Sequence, residues 1–131
     1  MNNLKLEPTN KTPLIDCNAE VGKLELEGRS IPENSADFFQ PVYEWIDSYI
    51  EKPCQKTIFE VKLEYFNTSS SKCILTMLKK LERLHSSGKS SVEIHWFFEE
   101  DDEDMQEAGQ DFDVIISIPF KMVPIEEFQR N

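Results

Sequence analysis

A chain of 131 residues that is 39% hydrophobic has the size of one domain, read here as residues 1–131, and can bury a core without disulfide or metal staples. Its 25 acidic residues against 14 basic ones leave a net charge of −11, which repels nucleic-acid backbones and anionic membranes and favours a basic protein surface as partner. No apolar run approaches the roughly 18 to 20 residues of a membrane span, the start Met1–Lys5 holds no apolar leader core, and Cys17, Cys54 and Cys73 lack any Cys-x-x-Cys spacing, so a cytoplasmic protein with reduced thiols is expected.

Residues 1–30 read as a β-meander. Leu4 and Leu6 alternate with charge, Thr9–Pro13 is a turn, Leu14–Cys17 is a second short run, and Lys23–Glu27 alternates again between Gly22 and Gly28. A first helix is expected from about Ala36 to Lys52, capped by Asn34 or Ser35, with Pro41 in its first two turns and Pro53 ending it. Phe38, Val42, Trp45 and Tyr49 make one line on it and Phe39, Tyr43, Ile46 and Ile50 a second, an apolar arc of roughly 160° where one core needs about 100°. That width fits either a deep groove in the chain's own core or a face that reaches beyond the sheet.

Lys56–Phe66 alternates as a half-buried strand, with Thr57, Phe59, Val61, Leu63 and Tyr65 on one side and Glu60, Lys62 and Glu64 on the other. Asn67-Thr-Ser-Ser-Ser71 interrupts it with turn and cap formers. From Lys72 the period is helical: Ile74, Met77, Leu78, Leu81, Leu84 and His85 face inward, Lys72, Lys79, Lys80, Glu82 and Arg83 outward, and Gly88 is a stop. Val92, Ile94, Trp96 and Phe98 line one face of the next strand, so strand, helix and strand predict a parallel pair. Asp101–Gln110 is expected to be a short helix stopped by Gly109, and Phe112, Val114, Ile116, Ile118 and Phe120 a last alternating strand. Alternation in most strands predicts helices on one face of the sheet and solvent on much of the other.

A hydroxyl cluster at a strand-to-helix junction stands where backbone N–H groups lack partners and the macrodipole is positive, which suits a phosphate; the plainer role of such residues is capping alone. The acidic run Glu99–Asp104 lacks the glycine of a calcium loop, Met105 holding the sixth position counted from Glu100, and reads as a solvated loop, a docking patch for a basic partner or, last, a loose Mg²⁺ or Ca²⁺ site. Catalytic arrangements are thin. Cys73 and His85 lie about 18 Å apart along one helix, Cys54 and His95 sit in no nucleophile motif, and four glycines form no phosphate loop.

Glu64-Tyr-Phe-Asn-Thr-Ser-Ser-Ser-Lys72 with the helix after it, then His95-Trp-Phe-Phe-Glu-Glu-Asp-Asp-Glu-Asp-Met105, Gly109 and Ile118-Pro-Phe120, resemble in order the signature of the SiaC family of bacterial regulatory phosphoproteins, small relatives of the STAS-type anti-sigma-factor antagonists. The resemblance spans Lys56 to Phe120. It implies an α/β (α+β) STAS-like single domain, a mixed sheet with helices mainly on one face. It implies Thr68 as phospho-acceptor, with Ser69 as second choice and Asn67, Ser69, Ser70, Ser71 and Lys72 shaping the site. A histidine-kinase-like Ser/Thr kinase, a PPM-type phosphatase and a GGDEF diguanylate cyclase effector, bound and activated by the unphosphorylated form to raise cyclic di-GMP, are the partners it implies. No cofactor, metal or catalytic residue is expected. Partner contacts are expected at the Thr68 junction with Tyr65, on the exposed side of the second helix with Lys79, and on Asp101, Asp102, Glu103 and Asp104. The alternatives are a constitutive acidic binding module, an anti-sigma-factor antagonist acting on transcription, and a thiol-dependent enzyme.

Overall fold

The computed structural model describes residues 1–128; the last three residues of the expected domain lie outside them. The elements run β1 (Leu4–Leu6), β2 (Leu14–Asn18), β3 (Lys23–Ser30), α1 (Ser35–Tyr49), β4 (Lys56–Phe66), α2 (Thr68–Ser87), β5 (Ser91–Glu99), α3 (Glu103–Ile115) and β6 (Phe120–Ile125). Six strands form one mixed sheet in which spatial order equals chain order. β1, β2 and β3 pair antiparallel, the expected meander, whereas β3–β4, β4–β5 and β5–β6 are parallel. A parallel step cannot close through a tight turn, so each of the three carries a helix.

The helices share one face of the sheet. Thr57, Phe59, Val61 and Leu63 of β4 and Val92, Ile94, Trp96 and Phe98 of β5 are buried there against Phe39, Val42 and Ile46 of α1, Ile74, Met77, Leu78 and Leu81 of α2 and Phe112 of α3, in one continuous core. The opposite face carries ion pairs across neighbouring strands, Lys23 with Glu60 at 2.8 Å and Lys62 with Glu25 at 2.7 Å. Each large buried side chain contributes about 2 to 3 kcal/mol, and half-exposed pairs contribute about 0 to 1 kcal/mol. The one-sided core therefore holds the layers together.

The wide apolar arc of α1 is spent within the chain. Trp45 and Tyr49 stack with centroids 4.9 Å apart, the Trp45 indole N–H donates to the Asn2 carbonyl at 3.1 Å, and Tyr49 joins a buried chain of hydroxyls through Thr57 to Ser90. The N-terminal segment covers what the sheet does not.

Three sequence expectations need correction. The second helix begins at Thr68 rather than Lys72, because the Asn67 side chain accepts from the Ser70 N–H at 2.9 Å and caps the helix four residues earlier. Tyr65 does not share the core side with Leu63. The register between β3 and β4 slips at Gly28/Arg29, leaving Glu64 as an extra residue; the bulge turns Tyr65 outward, 51% exposed, and Phe66 inward against Trp96. Finally, Phe112, Val114 and Ile115 are helical, not part of a strand: α3 runs through Gly109, and β6 starts only at Phe120.

Gly109 is a contact residue and no helix stop. The Trp96 indole lies against it, its N–H donating to the Met105 carbonyl at 3.0 Å, and a Cβ at Gly109 would sit 2.5 Å from the indole Cδ1. Alanine normally favours a helix interior by about 1 kcal/mol over glycine. Gly109→Ala is expected instead to destabilise by about 1 to 3 kcal/mol, measured by denaturant unfolding; an unchanged or raised midpoint would mean that the indole does not press on the helix.

Candidate functional site at one edge of the parallel strands

Parallel pairing puts the C-terminal ends of β3, β4 and β5 on one edge, and a helix starts after each. Three helix N-termini therefore gather there. Each is capped by its own side chain: Asn34 accepts from the Asp37 N–H at 3.2 Å, Asn67 from Ser70 at 2.9 Å, and Asp102 from Met105 at 3.0 Å. In open α/β sheets the carboxyl ends of the strands are where ligands bind.

At the β4–α2 junction the hydroxyls are divided in role. Ser70 is fully buried, its Oγ 2.7 Å from the Ser30 Oγ and donating to the Ser30 carbonyl at 3.1 Å, with the Ser35 Oγ at 3.4 Å. Ser69 is exposed, yet its hydroxyl bonds Ser35 at 2.7 Å and donates to the Asn67 side chain at 3.1 Å. Ser71 is half-buried and Lys72 exposed. Thr68 is exposed, and among the described residues its hydroxyl has no hydrogen-bond partner. The Asn67 N–H is bound by the Ser30 carbonyl at 3.0 Å and the Ser71 N–H by the Asn67 carbonyl, so the junction backbone is held from both sides of Thr68. The Ser71 hydroxyl is likewise unbonded among the described residues but half-buried, so Thr68 carries the one hydroxyl of the cluster that is both exposed and unbonded.

Ser30 and Ser35 carry this arrangement and were not legible as site residues. They come from the end of β3 and the start of α1, and no local pattern ties a serine there to one forty positions later. Arg29 was missed too: its guanidinium stands 5.9 Å from the centroid of the outward Tyr65 ring, beside the same junction.

The acidic run lies at the end of β5 on the same edge. Glu99, Asp101, Asp102, Glu103 and Asp104 line an open hollow of about 420 Å³, with Glu103 and Asp104 in the first turn of α3, where the helix dipole favours negative charge. Among the described residues no group of three potential ligands is arranged for a metal ion. Lys79 stands apart, exposed and eleven residues along α2 from Thr68, about 16 Å at 1.5 Å per residue. Its neighbour Lys80 instead pairs with Asp47 of α1 at 2.7 Å.

The thiol and imidazole groups are engaged structurally. Burial, with a smaller push from Asp16, raises the Cys17 thiol to about 12, far from a thiolate at neutral pH. Cys54 donates to the Ala19 carbonyl at 3.3 Å, Cys73 is buried, His95 is 2.8 Å from Glu93, and His85 accepts the Val92 N–H at 3.0 Å. Cysteine and histidine do not meet in a nucleophile–base pair in these contacts.

Comparison with known proteins agrees with this fold. Residues 6–125 match the model of the SiaC family regulatory phosphoproteins. An uncharacterized protein of Pseudomonas aeruginosa strain UCBPP-PA14 is 30% identical over 127 residues, covering 97% of this chain and 100% of its own. The crystal structure of apo-SiaC from Pseudomonas aeruginosa superposes with a TM-score of 0.86 at 30% identity, over 94% of this chain and 99% of that one. SiaC in the crystal structure of the diguanylate cyclase SiaD with its activator SiaC, also from Pseudomonas aeruginosa, matches with a TM-score of 0.87 at 30% identity, over 93% and 99% of the two chains. With the family model spanning nearly the whole fold and the Asn67–Lys72 junction inside it, the chain belongs to the SiaC family of regulatory phosphoproteins.

Proposed function

We propose that this protein is a non-enzymatic, cytoplasmic phospho-switch, one domain over residues 1–131, whose unphosphorylated form binds and activates a diguanylate cyclase. The observation that carries the reading is the likeness, in sequence and fold, to the SiaC that is described as activator of a diguanylate cyclase in complex with it. Phosphorylation of Thr68 by a histidine-kinase-like Ser/Thr kinase and its reversal by a PPM-type phosphatase complete the cycle. Support for Thr68 is chemical: its hydroxyl is exposed and unbonded, whereas Ser70 is buried and Ser69 is tied to Ser35 and Asn67.

The switch acts through charge at a helix start. The N–H groups of Thr68 and Ser69 open α2 and have no acceptor among the described residues, so a phosphate on Thr68 finds donors and the positive end of the dipole on its own protein. It also adds bulk and up to about two negative charges to an edge that already presents Tyr65 and the acidic hollow to the effector. A loss of about 2.7 kcal/mol of binding weakens the complex a hundredfold. Cyclase contacts are placed on the Thr68 junction with Tyr65, on Asp101–Asp104 and, further along α2, on Lys79.

A constitutive acidic binding module is the second reading, favoured by the five carboxylates around the hollow. Its binding would fade with added salt whatever stands at position 68.

Because Asn67 and not Thr68 supplies the cap, capping and signalling separate cleanly. Asn67→Ala is expected to cost about 1 kcal/mol of stability. Thr68→Ala is expected to melt within about 0.5 kcal/mol of the wild type, to remain bound to the cyclase in cells where the kinase is active, and to lose the mass of one phosphate in intact-mass measurements with site mapping. Phosphate mapped to Ser69, or a Thr68→Ala protein still released by the kinase, would move the acceptor elsewhere.

A further inference from the structure

The C-terminal turn of α3 breaks two local rules at one place. Val114 and Ile115 are 85% and 59% exposed, Val114 more so than any other large hydrophobic among the described residues. Asp111 and Asp113 stand in the same part of the helix, where the macrodipole is negative, and the last turn holds no basic residue. Among the described residues no cation pairs with either carboxylate. Glu103, Glu107, Gln110 and Val114, at i, i+4, i+7 and i+11, make one exposed line along the helix, and Asp104, Asp111 and Ile115 a second. Beyond the turn, the Glu82 carboxylate of α2 accepts the Ser117 N–H at 2.6 Å and adds a further negative group.

Phe112 and Ile116 of this segment are buried in the core, whereas Val114 and Ile115 have no apolar cover and the helix end no complementary charge, with no compensation among the described residues. We propose that the outer face of α3 at this end is a second contact surface for the effector, taking a cationic amphipathic segment of it. An apolar side chain of that segment covers Val114 and Ile115; its lysines or arginines meet Asp111, Asp113 and the helix carbonyl end. The inference rests on the reading of this chain as a cyclase-binding switch and adds a contact that the phosphosite does not reach: the 13 residues of α3 span about 20 Å from the edge where the helix begins. Charge selects the occupant. A second copy of this chain, at net −11, or an anionic membrane brings like charge to this face, whereas a cationic segment gains attraction and relieves the unfavourable helix end.

The test titrates the cell's own diguanylate cyclase, purified, against the unphosphorylated full chain, against Val114→Ser/Ile115→Ser, and against Asp111→Lys/Asp113→Lys, with the Thr68-phosphorylated chain as control. Each double variant is expected to weaken binding at least tenfold, and the lysine variant to flatten its salt dependence while melting at or above the wild-type temperature, because it repairs the helix end. Wild-type affinity in both variants, with binding still lost on Thr68 phosphorylation, would overturn this surface and leave the switch standing. Failure of the wild-type chain to bind any cyclase would overturn both.

Discussion

Everything at the candidate site depends on β4 being paired in parallel on both sides. A strand so placed ends beside the ends of its neighbours, and a chain that must return over one face to start the next parallel strand begins a helix at that edge each time. Three capped helix N-termini and the hydroxyls and carboxylates beside them are brought together by this topology, with no contact between the segments in sequence. The six-strand mixed sheet with helices on one face is the arrangement predicted by the alternating strands, and the one-sided core explains why so many strands alternate.

Within that frame the junction is built rigidly around Thr68, the one hydroxyl of the cluster both exposed and unbonded among the described residues. Asn67 is held through its own N–H and its side chain, Ser70 is locked into the Ser30 and Ser35 hydroxyls, and Ser69 bridges to α1. Buried hydroxyls are costly unless bonded, by about 1 to 3 kcal/mol each, so this network resists rearrangement and fixes where the helix starts. Thr68 is left outside it. A modification there changes the surface without first dismantling the clamp, which is the property a reversible switch needs.

The charge distribution supports a protein partner over other macromolecules. The outer sheet face neutralises much of its own charge through lysine–glutamate pairs, while among the described residues Asp101, Glu103, Asp104, Asp111 and Asp113 make no ion pair. Tyr65, turned outward by the bulge and faced by Arg29, adds the amphipathic side-chain pair that interfaces favour.

The periodicity of the sequence by itself determined the strands of the meander, β4, the inner stripe of α2 with its Gly88 end, and the position of the hydroxyl cluster at a strand-to-helix junction, because each depends on residues near one another in the chain. The motifs of the Asn67–Lys72 segment likewise pointed to the SiaC family, to which the chain belongs. Only the tertiary structure decided the rest. Whether Gly109 stops a helix or receives an indole depends on Trp96, thirteen positions earlier on another element. Whether Tyr65 is core or surface depends on a register slip against β3, which alternation along β4 alone does not record. Which of the neighbouring hydroxyls are tied up depends on Ser30 and Ser35, whose nearness to α2 is a product of parallel pairing and leaves no trace in local spacing.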